Sequence, residues 1–267
     1  MRLRLLHMSD IHFGDEDDNA LAAATEFAQA TLFDLMVLTG DLTQFGHRDE
    51  FTATQRWLAQ IPHPWLATPG NHDTPWLGLA ERMTSPFGRY ADAVGPAEQS
   101  AFDGDCLAVR TLNSARGWQF RLNWSKGKVS RDQAAGIAAR FAGAPPAALR
   151  VLACHHPLIE EIGGPMTGRV RGGHHAAKKA QAANVDLVMN GHIHAPFVQA
   201  LSYGDGMTYS VGAGTLSQRQ RGAPPGFNVI EASGDELSVT SMAWDGRKLV
   251  VDRVWVLPLR PRIGGEG

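Results

Sequence analysis

The stretch VDLVMNGHIH at residues 185–194 joins an apolar run to two histidines that are one residue apart. The apolar part, residues 185–189, has the length and composition of a buried strand. Side chains at positions i and i+2 of an extended segment point to the same side, so His192 and His194 can reach one shared object. A buried strand needs no such pair, and we interpret the segment as a core strand that ends in a binding loop.

Four other apolar runs of the chain also end in polar residues that can bind metal ions. They are LRLLHMSDIH (3–12), FDLMVLTGD (33–41), HPWLATPGNHD (63–73) and LRVLACHHP (149–157). Segments of helical composition precede three of the five runs, at 19–32, 49–60 and 174–184. Strands that alternate with helices of this length indicate βα units with largely parallel strands.

The carboxyl-terminal part of the chain has a different pattern. Four strand-like runs follow one another with weak helical signals between them, at 207–217, 226–233, 237–244 and 248–257. The dipeptide Asp245-Gly246 between the last two favours a hairpin turn. We therefore predict an α/β fold in a single domain, residues 1–267, in which about residues 200–260 form mainly a second, more antiparallel sheet. The two sheets would pack face to face as a β-sandwich.

The composition argues against several classes of protein. Lys plus Arg is 25 and Asp plus Glu is 27, and this near-balance argues against a general electrostatic grip on nucleic acid. Cys106 and Cys154 belong to no CxxC pair, which argues against a thiolate metal site or a disulfide framework. No run of 18 apolar residues occurs, and charge interrupts the apolar run at the amino terminus, so we predict a cytoplasmic protein with no membrane span.

The polar residues at the five strand ends form a candidate metal site, because ligand sites gather at the carboxyl edge of open α/β sheets. The set is Asp10, His12, Asp41, Asn71, His72, Asp73, His155, His156, His192 and His194. Carboxylate, amide and imidazole donors together suit Mn²⁺, Fe or Zn²⁺ better than Ca²⁺. The donors are too many for one tetrahedral ion and about right for two ions that share a carboxylate. His192 and His194 would then hold one ion each.

Each motif taken alone also has a structural explanation. A Gly-Asp pair after a strand usually forms a turn or a helix cap. Adjacent histidines, such as His155-His156, often place one ring in the core and the other at the surface. The pair His174-His175 fits a helix start or a surface position better than a substrate contact. The order and position of the five runs together favour the metal site.

The motifs DIH, GD, GNHD, HHP and GHIH, in this order and after strands, resemble those of calcineurin-like metallophosphoesterases over about residues 3–200. MSDIHFG, GDLTQFG, PFGRY and GTLSQRQRGAPPGFNVI further resemble the bacterial branch of class III cyclic-nucleotide phosphodiesterases. The resemblance implies a four-layer αββα fold, in which helices flank a two-sheet sandwich, and a dinuclear metal centre.

Carried over position by position, the resemblance implies two adjacent ion sites. The ligands of the first ion would be Asp10, His12, Asp41 and His194. The ligands of the second would be Asn71, His155 and His192, together with Asp41 as the bridge. His72 would lie outside the metals and contact the phosphate or the leaving oxygen. Mn²⁺ and Fe are the expected ions, and Zn²⁺ or Co²⁺ suit the same ligands.

These inferences predict a metal-dependent phosphoric ester hydrolase. A phosphodiesterase is favoured, which would cleave a small diester such as 3′,5′-cyclic AMP by in-line attack of a hydroxide that bridges the ions. Asp73 would orient His72 or cap the following turn. The loops 74–100 and 113–124 would surround the site. Asn71 and His72 are candidate substrate contacts, and so are Arg116 and Trp118 in the second loop.

Other functions are compatible with the same motifs. They are phosphomonoester hydrolysis, pyrophosphate hydrolysis in nucleotide-linked lipids, nuclease activity and a non-catalytic metal-bound scaffold. An apolar groove would favour the lipid substrate and a basic stripe the nuclease, and the sequence shows neither clearly. The expected partner is a small phosphodiester, with no nucleic acid and no membrane span. The last strands, including Trp255 and Val256, could form the interface of a homodimer.

Overall fold

A computed structural model describes residues 2–120, 123, 125–160 and 170–261. In chain order its elements are β1 (Arg2–Met8), α1 (Asp18–Ala30), β2 (Leu35–Leu38), α2 (Arg48–Leu58), β3 (Trp65–Ala67), α3 (Leu79–Thr84), α4 (Gly88–Ala93), β4 (Ala101–Gly104), β5 (Leu107–Thr111), α5 (Arg131–Ala135), α6 (Ile137–Arg140), β6 (Leu149–Ala153), α7 (Gly173–Ala182), β7 (Leu187–Asn190), β8 (Phe197–Ala200), β9 (Tyr209–Gly212), β10 (Gly226–Ser233), β11 (Glu236–Trp244) and β12 (Leu249–Pro258). The five strands predicted to carry polar ends are β1, β2, β3, β6 and β7. The three predicted helices are α1, α2 and α7.

The first sheet has the strand order β12-β11-β10-β1-β2-β3. Its strands β1, β2 and β3 are parallel, whereas β10, β11 and β12 continue it from β1 as antiparallel neighbours. The prediction that about residues 200–260 form mainly the second sheet is therefore wrong. The strand pattern of these segments was correct, but β10 pairs with β1, from Arg2 opposite Ser233 to His7 opposite Asn228, and so extends the first sheet.

The second sheet has the strand order β4-β5-β6-β7-β9-β8. Strands β5, β6, β7 and β9 are parallel, and β4 and β8 pair antiparallel at its two edges. Both sheets are therefore mixed, and neither is confined to one half of the chain.

The predicted hairpin between the last two strands is confirmed. Residues 245–248 connect β11 to β12, and Gly246 has a φ of 93°. The backbone N–H groups of Arg247 and Lys248 both donate to Oδ1 of Asp245, which is how an aspartate commonly stabilises a turn.

Three apolar cores separate four layers of structure. Helices α1 and α2 pack on the outer face of the first sheet, in a core that includes Met36 and Phe51. The two sheets meet in a second core, where Leu5 lies with Val151. Helices α5, α6 and α7 cover the outer face of the second sheet, and Ala177 belongs to that core. This αββα order confirms the predicted two-sheet sandwich flanked by helices.

The loops after five of the parallel strands meet at one end of the sandwich. The N–H of Asp10 donates to Gly40 O (2.9 Å), which joins the loops after β1 and β2. The N–H of Gly191 donates to His155 O (2.9 Å), which joins the loops after β7 and β6. The His155 ring then reaches across from the second sheet to Thr39 O of the first, with Nδ1 and O 2.7 Å apart. Side chains from both sheets are thereby brought together.

The lengths and compositions of the helices can be compared with those of membrane-spanning helices. Among the described residues, no helix combines the length and the apolar character that crossing a bilayer requires. The organisation of the chain as a single domain stays a prediction.

Candidate metal centre

The seven predicted metal ligands are buried, each at most 7% exposed. They are Asp10, His12, Asp41, Asn71, His155, His192 and His194. Charged and polar side chains are seldom buried in such a group, because removing them from water costs free energy that must be recovered from partners. Their burial at one place therefore indicates a shared ligand.

The backbone is left-handed at five of these seven residues. A φ between 51° and 68° occurs at Asp10, His12, Asp41, His192 and His194. Among the described residues, Gln99 and Asn184 are the other non-glycine residues with positive φ. Such a conformation costs about 1–3 kcal/mol per residue and concentrates at functional sites. The loops hold it in place by bonds such as that from the N–H of His12 to Asp41 O (3.0 Å).

Two glycines allow the loops to approach the carboxylates closely. A Cβ at Gly70 would lie 2.1 Å from Asp41 Oδ1, and a Cβ at Gly191 would lie 2.3 Å from Asp10 Oδ2. A side chain at either position would push a carboxylate out of place. These two glycines are therefore needed for close approach, more than for turn conformation.

Asp10, His12 and His194 form a first group of donor atoms. His194 Nε2 lies 3.0 Å from Asp10 Oδ1 and 3.4 Å from His12 Nε2. His12 Nε2 lies 3.8 Å from Asp10 Oδ1. The three donors thus converge within the space that one ion could share, and they are three of the four residues that the resemblance assigns to the first ion.

Asp41 connects this first group to a second. Its Oδ2 lies 3.8 Å from His12 Nε2 and 3.2 Å from His155 Nε2. The ring centroids of His155 and His192 are 5.1 Å apart. Asp41 therefore occupies the position expected of a carboxylate that two ions share.

Several of the donor atoms are buried without a hydrogen-bond partner. Within the described part of the chain they include Asp10 Oδ1, Asn71 Oδ1 and His155 Nε2. An unsatisfied buried polar group costs about 1–3 kcal/mol, and coordination to a cation would satisfy each of these atoms. The residues present therefore fit metal ions, and their oxygen and imidazole donors suit first-row transition metals.

Main-chain carbonyls fix the rings of two of the histidines. His155 Nδ1 lies 2.7 Å from Thr39 O, and His194 Nδ1 lies 2.5 Å from Arg219 O. Each ring donates its Nδ1 proton to the carbonyl, which leaves the Nε2 lone pair available to a metal ion.

His156 is arranged differently from these ligands. Its Nδ1 lies 2.9 Å from Ser114 Oγ, and its Nε2 lies 2.7 Å from Ser125 O. Both nitrogens are used within the protein, and the ring packs against His155 and His192 with centroid distances of 4.7 and 4.5 Å. His156 thus supports the ligands, and both rings of the His155-His156 pair are buried.

The charge states in the cluster suit metal binding. Burial opposes ionisation of Asp41, but His155 and His72 outweigh it and hold its pKa well below the usual value. Burial lowers the pKa of His12 to about 3 and also lowers that of His192. Burial likewise opposes the charge on His155, but the Asp41 carboxylate raises its pKa to about 9. Ionised carboxylates and neutral imidazoles are the forms that bind metal ions, and an ion at His155 would replace its proton.

His72 lies at the edge of the cluster and is partly exposed. Its backbone N–H donates to Asp41 Oδ1 (2.7 Å), its Nδ1 lies 2.6 Å from Gln44 O, and its Nε2 lies 2.9 Å from Arg219 Nη1. A guanidinium can only donate, so Nε2 is the acceptor. The ring proton is therefore on Nδ1 and is donated to Gln44.

Asp73 does not orient the His72 ring. Its Oδ1 accepts from the N–H and the hydroxyl of Thr43 (2.9 and 3.0 Å), and its Oδ2 accepts from the N–H of Gly70 (2.8 Å). The prediction that Asp73 orients His72 is therefore wrong. Its other predicted role was to cap the turn that follows it, whereas these bonds connect it to Thr43 and to the preceding Gly70. Adjacent side chains in this loop point in different directions, which the sequence does not reveal.

We expect Asp73→Ala to lower the free energy of unfolding by about 2–4 kcal/mol, because it leaves buried donors of Thr43 and Gly70 without an acceptor. Urea denaturation of the metal-free protein measures this change. Asp92→Ala, at an exposed position of α4, is the control and should change stability by less than about 0.5 kcal/mol. Equal stability of the two variants would contradict the assignment.

The two predicted substrate contacts outside the cluster both stay predictions. The Arg116 guanidinium binds Asn113 O (2.9 Å) and Gln133 Oε1 of α5. Trp118 is partly exposed and packs edge-on against Phe120, with ring centroids 4.3 Å apart. Its role in substrate binding stays a prediction, and residues 121, 122 and 124 of this loop lie outside the described residues.

A cavity of about 650 Å³ opens beside His72. Its lining includes Asn71 and His72 together with the apolar side chains of Phe45, Trp76 and Leu79. The rings of Phe45 and Trp76 have centroids 5.9 Å apart, and Trp76 is 62% exposed. An aromatic wall next to a cluster that can hold cations suits a ligand with an anionic part and an apolar part.

Sequence reasoning did not assign Gln44 and Arg219, although both contact His72. Both lie in stretches that resemble the bacterial branch, GDLTQFG and GTLSQRQRG. That resemblance was an available signal, but it did not show which atoms face the site.

Comparison with known proteins agrees with this geometry. Residues 3–196 match the family model described as calcineurin-like phosphoesterase. The chain belongs to this family. It is therefore a metal-dependent phosphoric ester hydrolase, as predicted. A protein of Synechococcus sp. named "Probable cyclic nucleotide phosphodiesterase" is 26% identical over 263 residues, which cover 91% of this chain and 93% of the relative. This match confirms the resemblance to the bacterial phosphodiesterase branch.

Solved structures share the fold of this calcineurin-like phosphoesterase. Purple acid phosphatase PPD1 from yellow lupin (Lupinus luteus) seeds has a TM-score of 0.66 at 14% identity, over 97% of this chain and 54% of that chain. This chain thus spans about half the length of the lupin enzyme. GAP50, the anchor in the inner membrane complex of Plasmodium, has a TM-score of 0.63 at 12% identity, over 98% of this chain and 90% of that chain. At these identities the likeness shows the fold alone.

Proposed function

We propose that this phosphoesterase hydrolyses small phosphodiesters, with 3′,5′-cyclic AMP as the representative substrate. The observation that carries the proposal is the position of Asp41, whose carboxylate lies within 3.8 Å of His12 Nε2 and 3.2 Å of His155 Nε2. Two ions that share this carboxylate would be close enough to act on one phosphate. The phosphodiesterase name of the Synechococcus relative supports the choice of a diester.

The chain's own residues have separate tasks in this proposal. The ligands of one ion would be Asp10, His12, Asp41 and His194, and those of the other would be Asp41, Asn71, His155 and His192. When bound, the ions would activate a water molecule as the nucleophile and neutralise phosphate charge. Asn71 and His72 face the cavity, so both can contact the bound ester. We propose Mn²⁺ or Fe as the ions, with Zn²⁺ or Co²⁺ as alternatives, since the donor set accepts all of them.

Hydrolysis by protein reconstituted with Mn²⁺ tests this function. The substrates are bis(p-nitrophenyl) phosphate, p-nitrophenyl phosphate, cyclic AMP and a glycerophosphodiester, and Asn71→Ala is the control. We expect diesters to be cleaved faster than the monoester, and we expect the activity to disappear in the control. A faster monoester reaction, or no turnover with two ions bound, would overturn the proposal.

A second candidate is hydrolysis of the pyrophosphate bond of a nucleotide-linked lipid, because the cavity has the apolar wall that such a substrate needs. Leu79 and Trp76, which line the cavity, are 58% and 62% exposed. Exposed apolar side chains grouped in this way usually mark a binding surface. A Trp76→Ala variant distinguishes the candidates. It should slow a lipid-linked substrate about tenfold or more and change turnover of bis(p-nitrophenyl) phosphate much less.

The cellular location, the partners and the oligomeric state of the enzyme stay predictions. We propose a cytoplasmic location and no nucleic-acid partner, in line with the near-balanced charge. Strand β12 lies at a sheet edge and exposes Val251, Val254 and Val256, which is compatible with the predicted homodimer. Light scattering of the purified chain would determine its oligomeric state.

A further inference from the structure

Arg219 lies in the loop between β9 and β10 and contacts the site in two ways. Its main-chain carbonyl accepts the hydrogen bond of His194 Nδ1. Its guanidinium places Nη1 2.9 Å from His72 Nε2 and 3.2 Å from Gln44 Oε1. The main chain of Arg219 therefore supports a predicted metal ligand, while its side chain contacts Gln44 and His72, two residues that line the cavity.

The charge of this guanidinium is not balanced by its contacts. An arginine keeps its positive charge in proteins and has only donor groups. Both acceptors at Nη1, an imidazole nitrogen and an amide oxygen, are neutral. Among the described residues, no carboxylate forms an ion pair with Arg219. A partly buried cation beside a predicted metal centre would repel the ions, unless an anion binds between them.

We propose that the Arg219 guanidinium binds a non-bridging oxygen of the substrate phosphate, and that it leaves its neutral acceptors when the ester enters. The proposal rests on the proposed phosphodiesterase function. An anionic oxygen gives a shorter and stronger hydrogen bond than a neutral acceptor, so the exchange is favourable. It also releases His72 Nε2, the ring nitrogen that accepts from Arg219 in the free protein, and this nitrogen can donate to the leaving oxygen once it has gained a proton from water.

The neighbouring Arg221 has a different environment. Its Nη1 donates to His192 O (2.9 Å), so this guanidinium supports the main chain of a predicted ligand. Of these two arginines in SQRQRG, Arg219 is thus the one that contacts His72 at the cavity.

Calorimetric titration of inorganic phosphate into the metal-loaded full chain tests the proposal, with metal content measured in parallel. We expect Arg219→Gln to keep both ions, because the carbonyl that holds His194 is unchanged, and to weaken phosphate binding about tenfold or more, as loss of a charge-assisted hydrogen bond implies. Arg219→Lys should recover part of the affinity. Arg247→Gln, in the β11–β12 hairpin, is the matched control and should leave affinity and turnover unchanged.

The same titration in a His72→Ala background separates direct contact from an effect through His72. Direct contact predicts that Arg219→Gln weakens phosphate binding by a similar factor in both backgrounds. Phosphate affinity within twofold of the parent protein in Arg219→Gln, or an effect that disappears in the His72→Ala background, would overturn the proposal. Because phosphate binding is measured without turnover, failure of this inference is distinguishable from failure to cleave diesters, which would instead overturn the proposed function.

Discussion

An Asp41→Asn variant should lose most of its bound metal and at least about a thousandfold in kcat/KM. Its carboxylate lies between the two groups of donors, so this one substitution weakens both ion sites. Substitution of a residue that only holds a metal ligand in place already lowers metal affinity or activity by about 10–100-fold. Substitution of a ligand shared by two ions should cause a larger loss. Elemental analysis after equilibration with Mn²⁺ measures the metal, and bis(p-nitrophenyl) phosphate reports the turnover.

Asparagine is the informative replacement because it preserves the shape of the side chain. Its amide oxygen can still accept from the N–H of His72, as Asp41 Oδ1 does. A loss of metal and of kcat/KM in this variant is therefore caused mainly by the missing negative charge, because the loop keeps its hydrogen bond. Asp252→Asn, an exposed position on β12, is the matched control and should keep metal and turnover. Retention of two ions with activity within tenfold of the parent would show that Asp41 does not bridge.

His72→Ala should have the opposite pattern, with unchanged metal content and turnover lower by about 10²–10⁴-fold. His72 donates its backbone N–H to Asp41, and the alanine variant retains this bond. The ring itself faces the cavity. If the ring acts on the leaving oxygen, the loss should be larger for cyclic AMP, whose leaving group is an alkoxide, than for bis(p-nitrophenyl) phosphate, whose phenolate leaves without help.

His174→Ala is the control for this comparison, because His174 is exposed on α7 and its ring bonds to Tyr203. It should leave metal content and both rates unchanged. Loss of an ion in His72→Ala would place His72 among the ligands. Equal losses of turnover on cyclic AMP and bis(p-nitrophenyl) phosphate would show that His72 does not act on the leaving oxygen.

Most of the candidate site was predictable because its residues follow local patterns. Asp10 and His12 come directly after an apolar run, as do His192 and His194, and parallel strands bring such ends to one edge of a sheet. The αββα layers followed from the resemblance that these motifs carry. The left-handed backbone at Asp41 was not predicted, since aspartate seldom adopts it outside a site that enforces it.

The errors concern contacts between distant parts of the chain. Strand β10 pairs with β1 across more than 200 residues, and no local pattern selects that edge over the edge of the other sheet. Arg219 meets His72 across 147 positions. Arg116 was chosen from its place in a loop, and the sequence did not indicate that its side chain binds Gln133 of α5. Local sequence patterns indicate where helices and strands lie along the chain. The partner of a given side chain depends on how those helices and strands pack together.

Asp10 and Asp41 follow strands of the first sheet, whereas His155 and His192 follow strands of the second. Occupancy of the centre and the alignment of the two sheets are therefore thermodynamically linked, and each must influence the other to the same extent. A substitution in the core between the sheets, at Val151 for example, would act as a remote regulator of ion affinity. In the reverse direction, the ions would fasten the two halves of the sandwich together, so chelation should loosen a sheet–sheet contact that contains no metal ligand.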